Sequence, residues 1–139
     1  MRAFGILLFL LASASLADGL EQIAGHYRYT DYSVLLPSGQ KLTLADLGAQ
    51  SATLDIAVEG TITLTMVMHD RQVVTQSARV ISSSYDGRQG YWLAQWPEMN
   101  YAVRAEFVMT GRELRSRTRF DNPLDAQRFR SIETAVLRR

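Results

Sequence analysis

The chain of 139 residues carries 15 Lys and Arg against 14 Asp and Glu, a net charge of +1, and contains no cysteine. That length makes one domain, the missing cysteines exclude structural disulfides and cysteine-metal clusters, and the near-neutral balance argues against nucleic acid as a partner. Hydrophobic residues at 47% against 21% charged supply a core and exclude a disordered tail.

Met1-Arg2 is followed by an uncharged run from Ala3 to Ala17 rich in Leu and Phe, the pattern of a secretory signal peptide. Small residues at Ser15 and Ala17 place cleavage before Asp18. The run of roughly 15 residues is shorter than the roughly 20 a spanning helix needs, so the expected product is residues 18–139, a single exported domain, periplasmic or secreted and not membrane-spanning. Its charge is unevenly spread: residues 18–103 hold 5 basic and 9 acidic groups, residues 104–139 hold 9 and 5. The two halves complement each other electrostatically.

From Gly25 to Phe120 apolar and polar residues alternate in short runs broken by turn residues, the signature of antiparallel strands in a sandwich or barrel. Gly25 to Leu36 and Gln40 to Leu44 flank a Pro37-Ser38-Gly39 turn. Next, a three-residue loop at Val58, Glu59 and Gly60 would pair Ile56 with Ile62, Leu54 with Leu64 and Ala52 with Met66, all on one face. Arg71 to Ser83 and Gln89 to Trp96 read as two strands joined around Asp86-Gly87. The last hairpin runs from Tyr101 to Phe120 and turns at Gly111-Arg112. It sets Met109 against Leu114, Phe107 against Ser116, Ala105 against Thr118 and Val103 against Phe120. Glu106 then opposes Arg117, and Arg104 opposes Arg119, on the other face. Asn122-Pro123 suits a helix start. Beyond it the alternation of β-branched Ile132, Thr134 and Val136 favours a ninth strand, which would close the sheet onto the first and remove its free edges. The expected fold is all-β, an antiparallel up-and-down barrel of eight to nine strands.

A short, weakly helical lead at Leu20 to Ala24, then Gly25-His26-Tyr27, a meander of about eight strands and an arginine-bearing final strand resemble the lipocalin or calycin group. The resemblance implies that Tyr27 takes the place of the Trp in the family's Gly-x-Trp opening, plugging one barrel end under an arginine from late in the chain. Arg128, Arg130 and Arg138 are the candidates for that arginine. A subgroup with the same layout inhibits metalloproteases through a short arm ahead of the first strand, a role that Asp18 to Ala24 would take here.

Catalytic chemistry finds little support. The two histidines, His26 and His69, have no spacing that sets two metal ligands on one face. Ser82-Ser83-Ser84 lacks a nucleophile elbow, and no glycine loop precedes a helix to cradle phosphate. No cofactor or metal is expected, and an enzyme, a small hydrolase or isomerase, is the least favoured class. The inward residues instead point to a non-enzymatic barrel that holds a small apolar or amphipathic ligand. Met66, Trp92, Tyr101, Phe107 and Phe120 form its expected lining, with the inward hydroxyls of Ser116 and Thr118. A void above roughly 300 Å³ would support that reading, and a filled interior would not. Arg104, Arg115, Arg117 and Arg119 form an outward row suited to a carboxylate-rich protein partner, which makes a protein-binding module the alternative.

Overall fold

The computed structural model describes residues 19–99, 101–120 and 131–139. The expected signal segment with its cleavage point, Asp18 and the expected helix start at Asn122-Pro123 lie outside these residues, as do Arg128 and Arg130.

A single helical turn, α1 (Leu20–Ile23), leads into nine strands: β1 (Gly25–Leu35), β2 (Lys41–Thr43), β3 (Ala49–Ile56), β4 (Thr61–Met68), β5 (Val73–Tyr85), β6 (Gln89–Gln95), β7 (Ala102–Thr110), β8 (Glu113–Phe120) and β9 (Ser131–Arg138). Every pairing is antiparallel, and neighbours in sequence are neighbours in the sheet from β3 to β9. β1 pairs with β3 along Gly25 to Arg28 and with β9 from Arg28↔Arg138 to Leu35↔Ile132. Eight strands therefore close into a barrel, and β2 adds a short ninth beside the far half of β1. Closure satisfies the backbone groups that an open sheet would leave on its outer strands.

The hairpins have the registers their apolar patterns demand. Ile56 pairs with Ile62, Leu54 with Leu64 and Ala52 with Met66, with a positive φ of 102° at Gly60 in the connecting loop. The last hairpin pairs Met109 with Leu114, Phe107 with Ser116, Ala105 with Thr118 and Glu106 with Arg117. Its ladder stops at Ala105–Thr118, so the expected Arg104–Arg119 and Val103–Phe120 pairings do not form. There β8 continues along β9 instead, through Arg119↔Ile132 and Phe120↔Ser131. β9 is a strand as its alternation predicts. Its inward residues are Ser131, Glu133, Ala135 and Leu137, and Thr134, between them, is exposed.

The two barrel ends differ. The turns after β3, β5 and β7 gather at one end, where α1 lies across the opening with Leu20 and Ile23 fully buried. Beneath it Tyr27, Ile56, Ile62, Phe107, Met109, Leu114 and Leu137 fill the interior. Residues 19–24 are thus packed into the barrel, and the segment expected as a protruding arm is a plug. At the other end, among the described residues, lie the connections 44–48 and 69–72 and residues 96–99.

Candidate functional site

Tyr27 anchors the plugged end. Its ring is wholly buried, its hydroxyl donates to the Ile23 carbonyl at 2.6 Å, and the guanidinium of Arg139 lies 5.8 Å from the ring centre. Arg139 Nη1 also donates to the carbonyls of Gln22 at 3.3 Å and Ala24 at 3.1 Å. Among the described residues the covering arginine is therefore Arg139 and not Arg138, whose position opposite Arg28 and Glu113 in the ladders is exposed. Burial raises the Tyr27 pKa while the nearby Arg139 opposes the rise.

Above this packing the interior opens into a cavity of about 550 Å³. Its walls carry Met66, Trp92, Ser116, Thr118 and Phe120 from the expected lining, together with Leu54, Leu64, Ala105 and the half-buried Gln76. The mouth is framed by Leu44 and Leu47 on one side and by Trp96, Pro97, Glu98 and Met99 on the other. Ser116 and Thr118 thus face space rather than packed hydrocarbon, which explains how inward hydroxyls fit a strand that is otherwise apolar on that face. Two expected lining residues stand apart. Phe107 lies deeper, opposite Gly90, with its ring 5.1 Å from Trp92 and 5.7 Å from Tyr85. Phe107 and Tyr85 thus belong to the packed floor of the barrel, which meets the cavity wall at Trp92. Tyr101 precedes β7 and is not part of the lining.

The wall contains a polar group that pattern reading missed. Tyr29, Tyr32 and Glu133 all line the cavity. A register shift between Tyr29 and Asp31 against β9 inserts Thr30 as an extra residue, and Thr30 Oγ1 donates to the Val136 carbonyl at 3.1 Å. Such a bulge turns the strand over, so Tyr29 and Tyr32 share the inner face although they are three apart. Their rings meet edge to face at 5.9 Å. The Tyr32 hydroxyl donates to Glu133 Oε2 at 2.7 Å. Desolvation raises the Glu133 pKa, and the hydrogen bond from Tyr32 partly offsets it. Burial, reinforced by the Glu133 carboxylate, also raises both tyrosines far above the usual phenol range. A repeated inward position on β9 was the available sequence signal, but Glu133 offers no apolar mark, and the bulge was not legible.

The arginine row lies outside the barrel as expected. Arg104, Arg115, Arg117 and Arg119 are exposed. Part of their charge is used locally: Arg115 Nε contacts Glu113 at 2.9 Å and Arg104 contacts Glu106 at 3.5 Å, while the Arg104 guanidinium sits 4.0 Å above the Tyr91 ring. Arg117 and Arg119 make no ion pair among the described residues. An outer depression of about 600 Å³ is lined by Arg104, Arg115 and Arg117 of this row together with Tyr91 and Asp86.

Elsewhere, His26 Nδ1 meets Asp55 at 2.6 Å on the exposed surface, and His69 and Asp70 lie in an exposed turn. Ser82 to Ser84 fall within β5, with Ser82 Oγ 3.2 Å from the Tyr91 hydroxyl. Among the described residues no group of three or more His, Asp or Glu is arranged to hold a metal, and no helix is long and apolar enough to cross a membrane. No protein-family model matches the chain, and the searches of curated proteins and of solved structures returned no match.

Proposed function

We propose that the protein is an exported, lipocalin-like, non-enzymatic barrel that takes up a small apolar or amphipathic molecule. The carrying observation is the cavity of about 550 Å³, inside the range of small-molecule sites. It is closed below by Tyr27 and α1 and walled largely by aromatic and aliphatic side chains. Its mechanism is burial, which contributes roughly 25 cal/mol for each Å² of apolar ligand surface removed from water. Recognition of a protein partner is the weaker reading, because Leu20 and Ile23 are consumed in the core and half of the arginine row is engaged with neighbouring carboxylates.

Trp92 and Trp96 line the cavity and report on it. Titration of the purified protein with decanol or an environment-sensitive apolar dye should change their fluorescence saturably at one ligand per barrel. Leu64→Trp, which fills the cavity from β4, should abolish the change while circular dichroism stays that of a β-barrel. A linear, unsaturable response of the unaltered protein would overturn the proposal.

A further inference from the structure

The charges on the cavity wall are all of one sign. Among the described residues its lining contains two carboxylates, Glu98 and Glu133, and no Lys, Arg or His. Glu98 is exposed at the mouth, whereas Glu133 projects from β9 into the interior and is only partly accessible. A carboxylate has about four acceptor sites on its two oxygens. Among the described residues, Glu133 receives one hydrogen bond, from Tyr32 to Oε2. The other oxygen is left for something that enters the cavity. Around it stand Tyr29 and Tyr32, with Trp92 and Trp96 also on the lining. Such rings attract a cation over their faces.

We infer that the barrel selects a cationic amphiphile, an organic ammonium with an apolar tail, whose head group donates to Glu133 beside the two tyrosines while the tail lies against Leu54, Leu64 and Met66. This deepens the ligand-carrier reading and rests on it. An anionic head group would meet the Glu133 and Glu98 carboxylates with no counter-charge among the described residues of the lining, and a purely apolar ligand would leave Glu133 with Tyr32 as its one partner among them. The balance of the step is simple. Arrival of R-NH3+ beside the Glu133 carboxylate forms an ammonium–carboxylate pair, and any proton the carboxyl carries leaves to solvent. The titratable groups that share the lining with Glu133 are Tyr29, Tyr32 and Glu98. Desolvation raises the Glu133 pKa, so its carboxylate form gains as pH rises and uptake of the amine should strengthen with it.

Displacement of a bound apolar dye by decylamine, decanol and decanoate at submicellar concentrations tests this directly. The unaltered protein should bind decylamine on the order of tenfold or more tighter than decanol, and decanoate weakest. Glu133→Gln, which keeps an acceptor for Tyr32, should bring decylamine down to the value decanol has on the same variant. Glu98→Gln should retain most of the preference. Equal binding of amine and alcohol, a preference that survives Glu133→Gln, or one that disappears with Glu98→Gln would overturn the inference while leaving an apolar cavity in place. Failure of the dye and of all three compounds to bind would overturn the carrier reading as well.

Discussion

Tyr32 and Glu133 meet across the β1–β9 seam at 2.7 Å, and this pair makes a pH-dependent prediction at the scale of one side chain. Desolvation lifts the folded-state pKa of Glu133 above the ordinary glutamate value of 4.5. In the unfolded chain the carboxyl ionises near that ordinary value. Between the two, the folded state holds the extra proton, so stability falls as pH rises through this window and stays reduced above it. Glu133→Gln removes this loss. Without ligand, the variant should unfold at higher urea than the unaltered protein at pH 8, with the gap closing toward pH 4. A gap independent of pH would show that the carboxyl is not desolvated. This pair was hidden in the sequence for a definite reason. Strict alternation from Tyr27 puts Tyr29 inward and Tyr32 outward, and only the Thr30 bulge reverses the second. By contrast Met66, Trp92, Thr118 and Phe120 were legible as lining because the strands that carry them keep an unbroken period of two near the cavity. Phe107 shares that period but lies too deep, and depth along the barrel axis is information that facing alone does not carry.

At the scale of elements, hairpins were the most readable feature, since each has two strands whose apolar faces agree only in one register. The β3–β4 and β7–β8 pairs show this, and their glycines fit: Gly60 has φ 102° and Gly111 φ 60°, which residues with a side chain adopt at a cost. β9 was readable as a strand but not by its working face. Its exposed or half-exposed residues are the β-branched ones, while the inner face carries Glu133, Ala135 and Leu137. The β5–β6 hairpin offers a sharper test. Gly90 faces Tyr85 in the register, and a Cβ at this position would overlap the Ser84 carbonyl oxygen and press on the Phe107 ring at 3.0 Å. A backbone carbonyl cannot rotate away as a side chain does. Gly90→Ala should therefore cost at least the roughly 1 to 3 kcal/mol of core overpacking and disturb the stack of Tyr85, Phe107 and Trp92. Urea midpoints and the near-ultraviolet circular dichroism of Trp92 should both change. Gly39→Ala, where no atom lies within 4 Å of the added Cβ, should leave the near-ultraviolet spectrum intact.

For the molecule as a whole, the distinction between a plugged end and an open end decides what the barrel does. The plug ties early and late parts of the chain together: α1 buries Leu20 and Ile23, Tyr27 fixes α1 through the Ile23 carbonyl, and Arg139, the residue after β9, holds the Gln22 and Ala24 carbonyls. The charge complementarity expected between the two halves has no ion pair to express it among the described residues: His26–Asp55, Arg104–Glu106 and Arg115–Glu113 each lie within one half, and in the clasp Arg139 meets backbone carbonyls. Position along the chain did not reveal which arginine made it, because Arg138 and Arg139 are adjacent and only the register of β9 separates an outward residue from one that folds over the barrel end. A free arm and a plug predict opposite results on deletion. Removing residues 18–24 takes away two fully buried aliphatic side chains, each worth about 2 to 5 kcal/mol by truncation to alanine. It also opens Tyr27 and Met109 to water. The shortened protein should therefore melt far below the intact one, Ile23→Ala should fall between them, and Arg139→Ala should lose about 1 kcal/mol because its contacts are exposed. Thermal unfolding followed by circular dichroism measures all three. An unchanged melt after the deletion would restore the arm as a surface element and transfer the weight of function from the cavity to the outside of the barrel.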